Sequence, residues 1–369
     1  MTDKAAEKKD KKVITDLENL GSDVLKQIDK KQDPRIEMPV RTLSNIYFDQ
    51  KSKTIKLGDK TSFRNFLNIA HTRKFMQTML VASEIKKVIQ QEATVSIRDL
   101  YYALKHTIEG TNENTFEDQS ESDPVLEDIE AATNLLREEL HLSASSKGVV
   151  AGDLKIKDGN DTIDLTRMGS GGWGVPSNVE PERIEFKDMD AEYVLFIEKD
   201  AVWKRFNEDR FWKKNKCIII TGRGQPSRAE RRLVQRLNME HKLPVFALMD
   251  ADPWGMYIYS VIKQGSISLS YSEEKLATPD TKYIGLTTQD VEQYKIPKEV
   301  TIKLNQLDVK RLNEMAGYEW FKKKEWQEEF ANMKQKAVKL ELEALSKKGI
   351  RFITEEYLPD KIKRKDFLP

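Results

Sequence analysis

Tyr102 lies four residues after Arg98 in the stretch Ser96-Ile-Arg-Asp-Leu-Tyr-Tyr-Ala-Leu-Lys-His106. On a helix that spacing puts both side chains on one face, with Lys105 and His106 beside them. Ile97, Leu100, Tyr101 and Leu104 fall at i, i+3, i+4 and i+7 and form a separate apolar stripe. One tyrosine of the pair is therefore expected in a core and the other in solvent beside cations. A solvent-facing phenol next to a guanidinium is what a nucleophile attacking a phosphate needs. An ordinary amphipathic helix carrying a solvated aromatic gives the same pattern.

A second group is acidic. Glu198 follows the apolar run Tyr193-Val-Leu-Phe-Ile197, and Asp250 and Asp252 follow Pro244-Val-Phe-Ala-Leu-Met249. Strands of a parallel sheet end on one shared rim. Three carboxylates on that rim repel one another, and a hard divalent cation such as Mg2+ is the simplest neutraliser. Strand ends also carry Asp as a turn or helix cap, and Asp252-Pro253 fits that role alone. Between these runs, Cys217-Ile-Ile-Ile-Thr221 leads into Gly222-Arg-Gly-Gln-Pro-Ser227. Ser227 replaces the third glycine of a dinucleotide loop, and the acidic partner sits on the wrong element, so that motif is excluded. The glycines instead let the backbone approach a phosphate.

Bulk composition is not informative about nucleic acid, because the 369 residues carry a net charge of only +1. Local clusters say more: Trp203-Lys-Arg205, Arg210 to Lys216, and Arg228, Arg231, Arg232 and Arg236 are basic and partly interleaved with aromatics, which suits a phosphate backbone. A solvated helix face explains any one of them equally well. The 33% charged content and the lack of an 18-residue apolar run exclude a transmembrane helix, and the charged N-terminus lacks the apolar core of a secretory leader, so a cytoplasmic protein with no membrane partner is expected. Cys217, the single cysteine, sits in an apolar run and is expected to be a core residue. No zinc-ligand spacing exists.

These side chains need elements to hold them. Residues 1–12 form a Lys/Asp/Glu tail expected to be disordered. Val13, Leu17, Leu20, Val24 and Ile28 make a helical stripe that either folds back on the body or docks on a partner. Asn45 to Leu57 predicts a hairpin, and 62–91 a helix. After a turn comes the Ser96 helix, with Asp99 in capping-box position. A polar loop and a helix from Asp123 to about His141 follow. The turn Asp158-Gly-Asn-Asp161 then predicts a second hairpin over 148–165. Three helices and a hairpin are the order of a winged helix, whose second helix enters the DNA major groove. Met168-Gly-Ser-Gly-Gly-Trp-Gly-Val-Pro176 predicts a linker, and lacks the Gly-Lys-Ser/Thr of a P-loop, as does the rest of the sequence. From Ala191 strands alternate with helices, and from Lys310 the chain is mostly helical. The expected organisation is a tail, helix and hairpin over 1–65, a winged-helix domain over 66–166, a linker over 167–190 and an α/β domain over 191–369.

Ordered motifs strengthen this picture. Arg-Asp-Leu-Tyr-Tyr102, Gly-Gly-Trp-Gly-Val-Pro-Ser-Asn-Val-Glu180, Phe-Ile-Glu198, Thr-Gly-Arg-Gly-Gln-Pro226, Met-Asp-Ala-Asp-Pro-Trp-Gly255 and Phe352-Ile-Thr-Glu-Glu-Tyr-Leu-Pro359 resemble the A subunits of archaeal type IIB DNA topoisomerases (topoisomerase VI), to which the meiotic double-strand-break transesterase is related. The resemblance covers roughly residues 60–369. It implies α/β plus α+β architecture: a catabolite-activator-like winged helix followed by a Toprim domain. It implies Tyr102 as nucleophile, Arg98 as its phosphate-binding neighbour and Glu198, Asp250 and Asp252 as magnesium ligands. Arg223, in the glycine turn, is then a phosphate contact; Lys105 and Arg228 are expected as further DNA-binding residues from the local charge read above, not from the resemblance. It implies double-stranded DNA as substrate, a dimer of A subunits, and a GHKL-type B subunit that binds ATP in an A2B2 assembly. The rivals are a winged-helix regulator with a ligand-sensing α/β domain, and a Toprim nuclease that leaves no covalent link.

Overall fold

The computed structural model describes residues 2–145 and 147–369, with side chains from Glu7 onward. They divide into two compact units: Met1–Tyr47, Lys56–Ser145 and Ile267–Ser272 form one, and Phe48–Ile55, Ser146–Ser266 and Glu273–Pro369 the other.

The first unit opens with α1 (Thr2–Asp29). Its stripe folds back on the unit: Val13 and Leu17 are buried with Val81, Ile85, Leu100 and Leu104. Residues 2–12 continue this helix, contrary to the expected disorder. Once the stripe anchors the helix, charge pairs such as Lys11 Nζ to Glu7 Oε1 (2.7 Å) and Lys9 Nζ to Glu139 Oε1 (3.2 Å) suit its outer turns.

Four strands follow along the chain, β1 (Arg35–Pro39), β2 (Ile46–Asp49), β3 (Thr54–Leu57) and β4 (Thr61–Asn65), of which Phe48–Asp49 and Thr54–Ile55 are counted with the second unit. β2 and β3 make the predicted hairpin, and β1 pairs antiparallel with β4. That pairing claims 61–65, so the helix expected from residue 62 starts later, as α2 (Ile69–Gln90), where Asn68 Oδ1 accepts a bond from Ala70 N (3.0 Å). β5 (Val95–Ser96) leads into α3 (Ile97–Leu104), and α4 (Gln119–Thr133) follows. α4 begins four residues ahead of the expected Asp123 because Asp118 caps it, and it ends where Asn134 turns left-handed at φ 54°. β6 (Leu142–Ser143) runs parallel to β5.

The second unit holds β7 (Val149–Gly152), β8 (Leu154–Asp158), β9 (Asp161–Asp164), β10 (Trp173–Gly174), β11 (Ile184–Met189), β12 (Tyr193–Ile197), β13 (Cys217–Thr221), β14 (Val245–Leu248) and β15 (Lys282–Tyr283). Helices α5 (Asp200–Glu208), α6 (Phe211–Lys214), α7 (Arg228–His241) and α8 (Pro253–Lys263) connect the later strands. The main sheet has the order β10-β7-β13-β12-β14-β15, with β13, β12, β14 and β15 parallel. All three apolar runs singled out above are strands of this parallel core.

The second hairpin departs from expectation. β8 and β9 do pair, but with β11 in a three-stranded sheet of the second unit. β7, expected in a wing on the helical part, lies antiparallel to β13. Val149, Val150 and Ala151 are all buried, and a strand covered on both faces belongs inside a sheet rather than on a wing. The expected linker over 167–190 is likewise built in, since Trp173–Gly174 pairs with β7 and Ile184–Met189 with β8. The units part at Ser145, not near 166. Beyond β15 come helices Gln306–Gly317, Lys324–Lys336 and Leu358–Arg364. Cys217 is buried and free, as expected. Among the described residues no helix is long and apolar enough to cross a membrane.

Candidate functional site

α3 is held at its start by both halves of a capping box. Ser96 Oγ accepts a bond from Asp99 N (3.0 Å), and Asp99 Oδ2 accepts one from Ser96 N (3.2 Å). Its stripe of Leu100, Tyr101 and Leu104 is buried. The two tyrosines divide as the periodicity requires. Tyr101 is 7% exposed and donates its hydroxyl to Glu117 O (3.0 Å), whereas Tyr102 is 59% exposed. The Arg98 guanidinium carbon lies 5.9 Å from the Tyr102 ring centroid. Lys105 is exposed, but its ammonium is engaged: it donates to the Tyr101 hydroxyl (2.9 Å) and to Glu117 O (2.7 Å). The bond to Tyr101 holds it above the usual lysine range.

In the second unit, β12 and β14 pair in parallel, so Glu198 and Asp250 leave neighbouring strands on the same rim. Both are buried, and Glu198 Oε2 accepts a bond from Asp250 N (3.1 Å). Burial first, then the neighbouring Asp250 charge, pushes the Glu198 carboxyl well above the usual range. Burial raises Asp250 too, against the pull of Leu342 N and Lys199, and raises Asp252 against that of Gly255 N. Asp252 is half-buried and caps α8, its Oδ1 accepting from Gly255 N (2.6 Å), so the helix-cap role does apply to it.

Sequence reasoning missed two participants. Gly255 has to be glycine: a Cβ there would stand 2.8 Å from Asp250 O and 2.9 Å from Glu198 Oε2. Lys199 sits against the rim, with Nζ 3.0 Å from Asp250 Oδ2. Burial opposes its charge, but Glu343, Asp250 and Glu341 outweigh that and raise it above the usual lysine range. The position of Lys199 directly after Glu198 was the only signal available.

The glycine turn wraps onto the same strand end. Gly224 N donates to Glu198 O (2.9 Å), and Arg223 N to Thr221 Oγ1 (3.0 Å). Arg223 holds a left-handed φ of 53°, and its half-exposed side chain pairs with Asp200 Oδ1 (3.1 Å).

The basic cluster after the turn is mostly internal. Arg228 lies half-buried in the first turn of α7. Arg231 is buried in an ion pair with Glu273. Arg232 grips Glu180 through two bonds of 2.7 Å. Arg236 is 2% exposed, bonded to Val179 O, Ile184 O and Glu240. Three of these four cations brace the fold.

Among the described residues no three carboxylate, imidazole or thiol groups converge as a metal-binding cluster; Lys199 engages Asp250, and Asp252 turns to Gly255. The donor set still suits a hard cation. Glu198 and Asp250 are buried, burial and mutual repulsion disfavour their charge, and a glycine keeps the space beside them clear.

Three family models match the chain in order. Residues 73–142 match a model described as type IIB DNA topoisomerase, 147–190 the all-beta domain in DNA topoisomerase VI alpha subunit, and 193–362 the Toprim domain of the topoisomerase 6 A-subunit/Spo11 family. The chain is 45% identical to the A-subunit of type 2 DNA topoisomerase 6 from Pyrococcus abyssi over 368 residues, covering 97% of this chain and 96% of that one. It is 44% identical to the protein of that name from Saccharolobus shibatae, covering 99% and 97%. It is 35% identical to the DNA topoisomerase 6 A-subunit of Arabidopsis thaliana, covering 96% and 81%.

Proposed function

The chain belongs to the family of DNA topoisomerase 6 A subunits, and on that premise we propose how its own residues cleave DNA. It is the catalytic, DNA-cleaving subunit of a type IIB topoisomerase. Tyr102 is the nucleophile. The observation that carries this is the division of the tyrosine pair, which leaves Tyr102 alone presented to solvent beside Arg98.

The Tyr102 phenol oxygen attacks a backbone phosphorus and loses its proton. A P–O bond to the tyrosine forms as the P–O3′ bond breaks, and the departing 3′-oxygen takes up a proton. One phosphodiester replaces another, so the step is close to energy-neutral and reversible. A free phenol has a pKa of about 10, so at neutral pH it needs help. Arg98 supplies fixed positive charge for the phosphate oxygens and the forming phenolate. Glu198, Asp250 and Asp252 are the residues that would hold Mg2+. When bound, it supplies a Lewis acid for the charge that develops on the phosphate. Arg223, Lys105 and Arg228 contact the DNA backbone, and α2 and α3 serve as the helix-turn-helix of a catabolite-activator-like domain.

Two such cuts, one per protomer of an A-subunit dimer, open a duplex. A GHKL-type B subunit binds ATP and drives a second duplex through, which relaxes and decatenates DNA. The relatives' names, each an A subunit, support a companion subunit, and the proposed assembly is A2B2.

The test is to mix the assembled enzyme with duplex DNA, Mg2+ and ATP, denature, and look for DNA-linked protein. The linked species is expected from the wild type and absent from Tyr102→Phe, which still binds DNA. A linked species from Tyr102→Phe overturns the assignment. Cutting without any link points to a Toprim nuclease, and DNA binding without cutting to a regulator.

A further inference from the structure

We propose that Lys199 is a tethered counter-ion of the acidic rim, which competes with a divalent cation for Asp250 and passes to Glu341 and Glu343 when the cation binds. The inference rests on the metal assignment above.

Lys199 stands at the boundary of α5, its side chain 24% exposed. Its ammonium meets three carboxylates at once: Asp250 Oδ2 at 3.0 Å, Glu341 Oε2 at 3.0 Å and Glu343 Oε2 at 2.9 Å. Asp250 Oδ1 accepts a bond from Leu342 N (2.8 Å), so Oδ2 is the oxygen best placed for a cation. That is the oxygen the ammonium occupies. Two cations on one buried carboxylate oxygen repel strongly, because little water lies between them to screen the charges.

The three partners differ in what they need from the lysine. Asp250 is 3% exposed and cannot be left charged and unpaired without a large desolvation cost. Glu341 and Glu343 are 49% and 44% exposed, so water solvates them. They keep their position regardless, because Leu340 N donates to Ala251 O (3.0 Å) and Leu342 N to Asp250. Lys199 can therefore give up Asp250 and keep two partners, while the metal takes over the buried carboxylate.

The experiment titrates Mn2+ into the purified full-length chain, with binding read by calorimetry and by electron paramagnetic resonance. Lys199→Gln removes the competitor and is expected to bind Mn2+ roughly tenfold or more tightly. In EDTA it is expected to melt below the wild type, and Mn2+ is expected to raise its melting temperature by more. Glu341→Gln/Glu343→Gln leaves the lysine with only Asp250 and is expected to bind Mn2+ more weakly. An affinity for Lys199→Gln equal to or below the wild type overturns the proposal. Should Lys199→Gln fail to fold, unchanged or tighter binding by the surface double variant does the same. A wild type that binds no Mn2+, or a Glu198→Gln variant that binds it as the wild type does, is instead a failure of the metal assignment.

Discussion

The rings of Tyr101 and Tyr102 lie 5.0 Å apart, tilted by 57°, yet one side chain closes a helical core and the other faces solvent. The separation comes from a single step along α3. Tyr101 also anchors Lys105, so its hydroxyl serves as acceptor and donor together.

Tyr101→Phe is therefore expected to cost stability, about 1 kcal/mol, and to leave the covalent DNA link in place. Urea melts and the adduct assay read the two effects separately. Loss of the adduct from a Tyr101→Phe protein with a wild-type melt would reverse the roles of the pair.

The rim carboxylates give a pH dependence of definite sign. Glu198 holds its proton more tightly folded than unfolded. The folded state then binds the extra proton, so this group's contribution falls as pH rises above the ordinary value of 4.5, until its raised folded pKa is passed. Glu198→Gln removes that cost. In EDTA the variant is expected to be more stable than the wild type by about 1 kcal/mol or more at about pH 9, and the gap is expected to close at about pH 5. A gap that is constant across that range sinks the assignment of Glu198 as a charge buried at a cost.

Arg236 separates a structural cation from a DNA-binding one. Arg236→Ala leaves Glu240 without its partner and frees the carbonyls of Val179 and Ile184. The expected loss is on the order of 3 kcal/mol of stability. DNA affinity of the folded protein, and its dependence on salt, are expected to be unchanged. A flatter salt dependence in a stable Arg236→Ala protein would instead place this residue on the nucleic acid.

What the sequence made legible was mostly local or periodic. The capping box of Ser96 and Asp99, the facial split of Tyr101 and Tyr102, and the three apolar strands ending in Glu198, Thr221 and near Asp250 all follow from residues within a turn or a strand of each other. Pairing across the chain was not legible. Nothing in Val149-Val-Ala-Gly152 says that its partner is β13, and nothing in Thr61–Asn65 announces β1. The basic residues of α7 looked like a surface because their partners, Glu180, Glu273 and the carbonyl of Ile184, lie some forty or fifty residues away. Lys199 was hidden differently. An ammonium after a strand end looks solvated until the segment carrying Glu341 and Glu343 is brought beside it.

The placement of β7 has a consequence for how this chain can be divided. A strand with both edges paired offers no template to another chain, and β13 owes one of its paired edges to residues 149–152. A Toprim fragment beginning at β12 would expose Cys217-Ile-Ile-Ile as an open, apolar edge, which invites self-association. The all-beta segment therefore works as a sealing strip for its neighbour, and any dissection, permutation or domain transplant has to carry the two together.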